Sequence, residues 1–300
     1  MLKKIIRKIY FLLKKLIASK KGSASYCTAH MVVEEEFLSV ESSLEHFSWR
    51  NDLYPGYIEL MPVAGFDDKV VVDYGCGPGN DLVGFSHFSS PKELIGIDVS
   101  KTALERAKVR LSLHGKEANL ILVEEKRNDI PLEDKSIDLI HSSGVLHHCE
   151  NLPAILKEFH RILKDDGAVH VMVYNYDSLW LHLYTAYVQQ IERGKFKNME
   201  LLDAFRANTD GEFCPISHCY TPSQFVQIMG DNGFRGEFKG ASMSTTELKL
   251  MHKRFEAIES RQLNKEHRDF LKSLTFDERQ MPLINGHFAG INACYRFTKE

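Results

Sequence analysis

Short apolar runs and amphipathic segments alternate along the middle of the sequence. Runs that are apolar or mostly apolar, and short enough to be buried strands, lie at 70–72, 94–97, 120–123, 137–140 and 168–173. Segments with apolar residues at helical spacing follow two of these runs, at Lys101–Leu113 and Leu152–Leu163. Ser100 is expected to cap the first of these helices, and Gly167 to close the second in a left-handed conformation. This repeated strand–helix order predicts a doubly wound parallel sheet with helices on both faces.

The second half of the chain interrupts that order. Its pattern predicts helical insertions at about 177–218 and 242–288, and two further strands that begin at Phe234 and Ile291. Between them, Thr221 and Pro222 fit the cap and first position of a helix. The first insertion is interpreted as a substrate lid, and a structural cap or a dimer face is the alternative.

The start of the chain is amphipathic and basic. Residues 1–21 contain eight Lys and Arg residues and no acid, and the linker-like residues 20–25 follow. We interpret residues 1–25 as a basic helix and linker that either lies on an anionic membrane surface or packs on the acidic body. The domain proper is then 26–300, with a helix predicted at 31–48 before the aromatic residues Trp49, Tyr54 and Tyr57.

Candidate chemistry is concentrated where the first strand ends. Val70–Asn80 reads Val-Val-Val-Asp-Tyr-Gly-Cys-Gly-Pro-Gly-Asn, with Asn80 as the expected helix cap. Glycine at every second position lets backbone approach a ligand at the start of a helix. Asn80 breaks the dinucleotide fingerprint, and no Gly-Lys-Ser/Thr follows, so neither a dinucleotide site nor a phosphate loop is predicted.

A second acid-ended strand supports a nucleoside-binding site. Asp98 ends the run 94–97 and lies 23 positions after Gly75, where doubly wound sheets present a carboxylate to a ribose diol. The Asp73-x-Gly-x-Gly-x-Gly motif, the Asp98 strand end and the segment 131–148 together resemble the class I S-adenosylmethionine-dependent methyltransferases. The resemblance covers residues 58–174 well and 220–240 loosely.

That resemblance implies a seven-stranded, mostly parallel sheet with an antiparallel last strand, and S-adenosylmethionine as cofactor. The residues that it assigns to the cofactor are Asp73, Gly75, Gly77, Gly79, Asp98, Val99, Glu125 and Ser143. In this family the first acid and the glycines hold the methionine part of the cofactor. The adenine contact falls on Glu125, with Glu124 and Asp129 as alternatives, because Lys126 and Arg127 occupy the family's usual positions.

Methyl transfer to a hydroxyl or ammonium group requires that a proton be removed, which a histidine does near neutral pH. His147 is the predicted base, because it follows the fourth strand, and His148, His218 and His287 are alternatives. Substrate contacts are predicted for Tyr54, Tyr57, His148 and His218. Cys214, His218 and Cys219 match no zinc spacing, so no metal site is predicted.

Composition and charge limit the classes of molecule that this protein is expected to bind. Outside residues 1–21 the chain has 30 basic (38 − 8) and 41 acidic residues, which disfavours nucleic acid as a partner. Six scattered cysteines are typical of a reduced, cytoplasmic protein. The predicted function is methyl transfer to an oxygen or nitrogen of a small metabolite or natural product. A lipid or quinone acceptor at a membrane surface and a non-catalytic binding or scaffold protein are the alternatives.

Overall fold

A computed structural model describes residues 37–124 and 129–300 of the 300-residue chain. The predicted basic helix and linker at 1–25 lie outside the described residues. So does Glu125, the candidate for the adenine contact.

A seven-stranded sheet organises the fold. Its strands are β1 (Val70–Tyr74), β2 (Glu93–Asp98), β3 (Asn119–Leu122), β4 (Ile137–Ser143), β5 (Leu163–Tyr174), β6 (Phe234–Ser242) and β10 (Asn292–Lys299). Their order in the sheet is β3-β2-β1-β4-β5-β10-β6. Strands β1 to β5 pair in parallel, and β10 runs antiparallel to both β5 and β6. The predicted seven-stranded, mostly parallel sheet with an antiparallel last strand is confirmed.

Helices cover both faces of this sheet, and further helices form the two insertions. They are α1 (Val40–Asp52), α2 (Tyr57–Leu60), α3 (Asn80–Phe88), α4 (Lys101–Leu113), α5 (Leu152–Ile162), α6 (Trp180–Glu192), α7 (Leu201–Thr209), α8 (Pro222–Gly230), α9 (Thr245–Lys249), α10 (Arg254–Glu259) and α11 (Lys265–Ser273). Neighbouring strand residues face opposite sides, so Val72 packs with Phe159 of α5 and Val71 packs with Leu82 of α3. The core therefore consists of two apolar layers that fix the strand ends from both sides.

The predicted helix at 31–48 falls within the described residues only from residue 37 onward, and there α1 begins at Val40, after the Ser39 capping box. Two local expectations are wrong. Gly79 caps α3, and Asn80 is its first residue, because Gly79 adopts the left-handed conformation with φ +82°. Gly167 does not close α5 in a left-handed conformation, since α5 ends at Ile162 and the chain enters β5 at once.

The two insertions pack against each other and share one apolar cluster. The first contains α6, a wide helix of the π type, and α7. The second contains α9 to α11 and a small antiparallel sheet that was not predicted, made of β7 (Thr275–Phe276), β8 (Pro282–Ile284) and β9 (His287–Phe288). Leu183 and Val188 of α6 share an apolar cluster with Ala257 and Leu271. Among the described residues, none of the helices has the length and apolar character needed to cross a membrane.

Glu247 joins the insertions to each other. Its buried carboxylate accepts hydrogen bonds from the Ser244 amide at 2.7 Å and hydroxyl at 2.9 Å, and from the Trp180 amide at 2.9 Å. Burial raises the pKa of Glu247 to about 7, against the lowering effect of these hydrogen bonds. The first turn of α9 and the start of α6 thus share one buried acceptor.

We expect Glu247→Gln to lower the melting temperature, because one side of the amide must point an N–H at another donor. Each donor left unsatisfied costs about 1–3 kcal/mol. A buried acid whose pKa is raised in the folded state makes the protein less stable as the pH rises. For Glu247 this loss should fall between the ordinary pKa of 4.5 and about 7. Thermal unfolding across that window should therefore show a flatter pH dependence for Glu247→Gln than for the wild type. The exposed Glu237→Gln on β6 is the control. Lys239 lowers the pKa of Glu237, so this variant should differ from the wild type below pH 4.5 and leave the slope between 4.5 and about 7 unchanged.

Candidate functional site

The glycine turn lies at the carboxyl end of β1, where the strand order reverses between β2 and β4. The amides of Gly75 and Cys76 both donate to the Ile97 carbonyl oxygen, at 2.7 and 3.0 Å. Gly75 has a φ of +79°, and a Cβ there would lie 2.2 Å from Cγ2 of Val145. Gly77 has a φ of +52°, but nothing lies within 4 Å of its Cβ position. The turn is therefore closed on the Val145 side and open at Gly77.

This difference gives a matched pair of substitutions. Gly75→Ala should lower the melting temperature strongly, because the methyl group must displace a β-branched side chain as well as hold a left-handed backbone. Gly77→Ala should lower the free energy of unfolding only by the cost of the left-handed backbone, about 1 kcal/mol. Thermal denaturation of the two variants measures the difference between their losses of stability. Equal losses would contradict this account of the turn.

Asp98 closes the turn from β2. Its Oδ2 accepts a hydrogen bond from the Gly77 amide at 2.9 Å, and its Oδ1 accepts from the Ser100 amide at 2.7 Å. The carboxyl group is buried, which raises its pKa, although both hydrogen bonds favour the charged form. Each oxygen keeps a second lone pair, so this carboxylate can also accept bonds from a diol. Val99 follows it directly at the end of the strand.

Asp73 lies at the end of β1, opposite Gly96 and His141 in the sheet register. Its carboxyl is 2% exposed, and burial raises its pKa to about 7, although His141 and Arg50 favour the charged form. Asp81 in the first turn of α3 bonds the Arg50 guanidinium and lies 3.3 Å from Nε2 of His141. Despite burial, Arg50 and His141 hold the pKa of Asp81 well below its usual range.

The Arg50–Asp81–His141 cluster was not anticipated from the sequence. Asp81 is the second residue of the helix that the glycine turn predicts, and an acid there is favoured by the helix dipole. Its partners lie 31 and 60 positions away, so no local pattern connects them. The cluster holds α1 over the glycine turn beside Asp73.

The aromatic segment after α1 reaches the end of β4. The Tyr57 hydroxyl hydrogen-bonds Oγ of Ser143, and the Arg50 guanidinium lies 5.1 Å from the centre of the Tyr57 ring. Tyr54 lies 6.4 Å from Tyr57 between ring centres and packs into the same apolar cluster as Tyr174. The third aromatic residue singled out in the sequence, Trp49, lies on α1 and is 56% exposed.

His147 lies in the turn directly after β4 and is fully buried. Its ring stacks on Tyr174 with 3.8 Å between centres, and neither ring nitrogen has a hydrogen-bond partner in the described part of the chain. Burial, together with His148 and His218, holds its pKa well below 6.5. The imidazole is therefore neutral near pH 7 and able to take a proton.

The loop between α7 and α8, residues 210–221, is named the lid loop here and covers this turn. The His218 amide donates to the His147 carbonyl oxygen at 2.9 Å, and Nδ1 of His148 lies 2.7 Å from the Ile216 carbonyl oxygen. Thus His147, His148 and His218 are brought together, whereas His287 packs against Phe238 of β6.

A groove of about 1040 Å³ opens beside the lid loop rather than at the glycine turn. Its lining combines apolar and polar side chains, among them Leu202, Arg206, Ile216, His218, Tyr220 and Gln224. His218 is the residue that connects this groove to the His147 turn.

Comparison with known proteins agrees with this geometry. Residues 72–171 match a family described as methyltransferase domain. A transposon-encoded protein of Streptomyces fradiae is 38% identical over 112 residues, which are 36% of this chain and 31% of that protein. A malonyl-[acyl-carrier protein] O-methyltransferase of a Marinomonas species is 35% identical over 113 residues, 37% of this chain and 40% of that enzyme. The chain thus spans less than half the length of these relatives.

The fold has relatives among solved structures. A Listeria monocytogenes protein, solved as a candidate S-adenosylmethionine-dependent methyltransferase, superimposes with a TM-score of 0.50 at 17% identity. The superposition covers 85% of this chain and 99% of that one, and it shows a shared fold.

Proposed function

We propose, from the premise that this chain is a class I S-adenosylmethionine-dependent methyltransferase, that it methylates an oxygen or nitrogen of a small metabolite or natural product. The observation that carries the proposal is the pair of buried carboxylates, Asp73 and Asp98, at adjacent strand ends around an open glycine turn. A fold that had lost its ligand would have no need to keep two acids buried there.

The residues present fit the cofactor. Asp98 has lone pairs available for the ribose hydroxyls, and the space at Gly77 leaves backbone accessible. Asp73, Gly75, Gly79, Val99 and Ser143 would complete its binding site. The cofactor supplies the methyl group and a sulfur leaving group. The protein then has to align an acceptor, exclude water and remove a proton.

His147 is the proposed base. Its ring is neutral near pH 7, it lies immediately after the strand that carries Ser143, and both ring nitrogens lack partners in residues 37–124 and 129–300. Tyr174 holds the ring by stacking, so a nitrogen is presented in a fixed orientation. Tyr54, Tyr57, His148 and His218 are proposed to contact the acceptor, which would enter through the groove at His218.

Calorimetry with S-adenosylhomocysteine tests the cofactor site. The wild type should bind it, and a double variant Asp73→Ala, Asp98→Ala should not. If both bind equally weakly, the enzyme proposal fails and the non-catalytic scaffold remains. Mass spectrometry of a cell extract incubated with the protein and isotopically labelled S-adenosylmethionine would then identify the acceptor.

A membrane-surface lipid or quinone acceptor is the second proposal, supported by the eight basic residues in 1–21. We expect the full chain to pellet with anionic liposomes and to remain in the supernatant with neutral ones. A chain that starts at Ser23 is the control. If the two chains pellet equally, residues 1–21 do not direct the protein to membranes.

A further inference from the structure

Three potential metal ligands meet beneath the lid loop. His148 belongs to the turn after β4, Asp210 follows α7, and Cys214 lies in the loop beyond it. One donor atom from each lies within 4.8 Å of those from the other two. We propose that these three residues bind a divalent transition-metal ion, with zinc as the best match. This inference does not require the proposed methyl transfer, although it shares His148 with the acceptor contacts proposed above.

The orientation of the His148 ring points to a cation. A carbonyl oxygen only accepts hydrogen bonds, so Nδ1, 2.7 Å from the Ile216 oxygen, carries the ring proton. Nε2 then presents a lone pair to Oδ1 of Asp210 at 3.8 Å, which is too long for a hydrogen bond. Two electron-rich atoms that face each other in this way are stabilised by a cation between them.

The nitrogen ligand, His148, and the oxygen ligand, Asp210, are each oriented by a hydrogen bond of the kind found at metal sites. Metal-binding histidines usually donate their other N–H to a backbone carbonyl, as His148 does to Ile216. The Tyr174 hydroxyl donates to Oδ1 of Asp210 at 2.7 Å, which fixes the carboxylate. These contacts orient two ligands from different parts of the chain toward the same point.

The distances require only a small contraction. In a tetrahedral zinc site, ligand atoms lie about 3.3–3.6 Å apart, given zinc bonds of about 2.0–2.3 Å. Here Nε2 of His148 and Oδ1 of Asp210 are 3.8 Å apart, and Sγ of Cys214 lies 4.0 Å from Nδ1 of the same ring. One donor atom from each of the three residues lies within 4.8 Å of the other two. Because Asp210 and Cys214 lie in the lid, a small movement of the loop would complete the geometry.

The donor set selects the metal. A thiolate with an imidazole and a carboxylate favours zinc over magnesium or calcium, which prefer oxygen ligands. The Cys214 thiol donates a hydrogen bond to the Ile216 carbonyl oxygen, with 3.2 Å between sulfur and oxygen. The thiol proton would be released to solvent when the metal binds. Three protein ligands also leave one tetrahedral position for water or another small ligand.

The sequence did not predict this site because its ligands are not close together along the chain. His148 lies 66 positions before Cys214, and the neighbouring His218 and Cys219 suggested a different set. The structure instead places His218 at the groove and Cys219 in an apolar cluster with Phe205.

Titration of the chelator-treated full chain with zinc chloride in a calorimeter tests the proposal. We expect one equivalent to bind, and cobalt(II) to give an absorption band from thiolate coordination. Cys214→Ser should lose that band and bind zinc at least about 100-fold more weakly. Cys219→Ser, a cysteine in the same loop, is the control and should behave as the wild type.

Zinc binding that is absent, or equal in wild type and Cys214→Ser, would overturn the proposal. A measurement on the wild type avoids any folding defect in the variants. Zinc should slow alkylation of Cys214 by iodoacetamide relative to Cys219, as followed by peptide mass spectrometry. If zinc leaves the two relative rates unchanged, no metal binds at Cys214.

Discussion

Asp98→Asn should weaken S-adenosylhomocysteine binding by about 100-fold or more, because two effects combine. The amide that replaces one oxygen would point N–H at the Gly77 or Ser100 amide, both of which are donors. The charge that strengthens hydrogen bonds to a ribose diol is also lost, and such bonds contribute about 1.5–3 kcal/mol each. A loss of about 1.4 kcal/mol is tenfold in affinity, so two bonds account for the expected change.

Asp138→Asn is the matched control for this substitution. Asp138 also accepts a backbone hydrogen bond, from the Val70 amide at 2.9 Å, but at the other end of β1. It should lower stability without changing the dissociation constant of S-adenosylhomocysteine measured by calorimetry. An unchanged dissociation constant for Asp98→Asn, with native melting behaviour, would show that Asp98 is not part of the proposed cofactor site.

The glycine turn and the sheet could be predicted from the sequence because their signals are local. A ligand that approaches backbone requires glycine, so the requirement appears at closely spaced positions such as Gly75 and Gly77. Buried parallel strands likewise appear as short apolar runs, and the strand–helix alternation then limits the topology. Even the antiparallel last strand followed, once the family resemblance was recognised.

What the sequence did not reveal depends on contacts between distant residues. The Arg50–Asp81 pair and the Asp81–His141 contact arise only after α1 and β4 are packed around α3. Likewise, Asp210 can meet His148 only when the lid loop has closed over the turn. Charged residues on helices usually face solvent, so their patterns give no sign of which ones will be buried together.

Local signals also failed where two structures were equally compatible with them. Gly167 follows a helix, as a left-handed cap would, but the pairing of Ile137 with Leu163 draws the chain into β5 immediately after α5. The same applies to β7–β9, whose strands are of two or three residues and lack a periodic pattern. In both places sheet pairing, which is set by residues far away in the chain, decided the structure.

His147→Phe should lower kcat by about 10²–10⁴-fold, the usual contribution of a general base. Phenylalanine keeps the stack on Tyr174 and removes two buried nitrogens without partners in the described chain. Folding and S-adenosylhomocysteine affinity should therefore be unchanged or improved. The measurement is methyl transfer to the acceptor found by isotope labelling, with kcat and KM determined separately.

The pH profile distinguishes a base from a packing residue. Because the pKa of His147 lies well below 6.5, wild-type kcat should be constant at neutral pH and fall only as the pH drops through that lower pKa. The Phe variant should lack this acidic limb. His170→Phe is the control, since His170 is also buried, with its pKa lowered to about 3, but lies within β5. A variant His147→Phe that kept both wild-type kcat and the acidic limb would show that another group, or none, removes the proton.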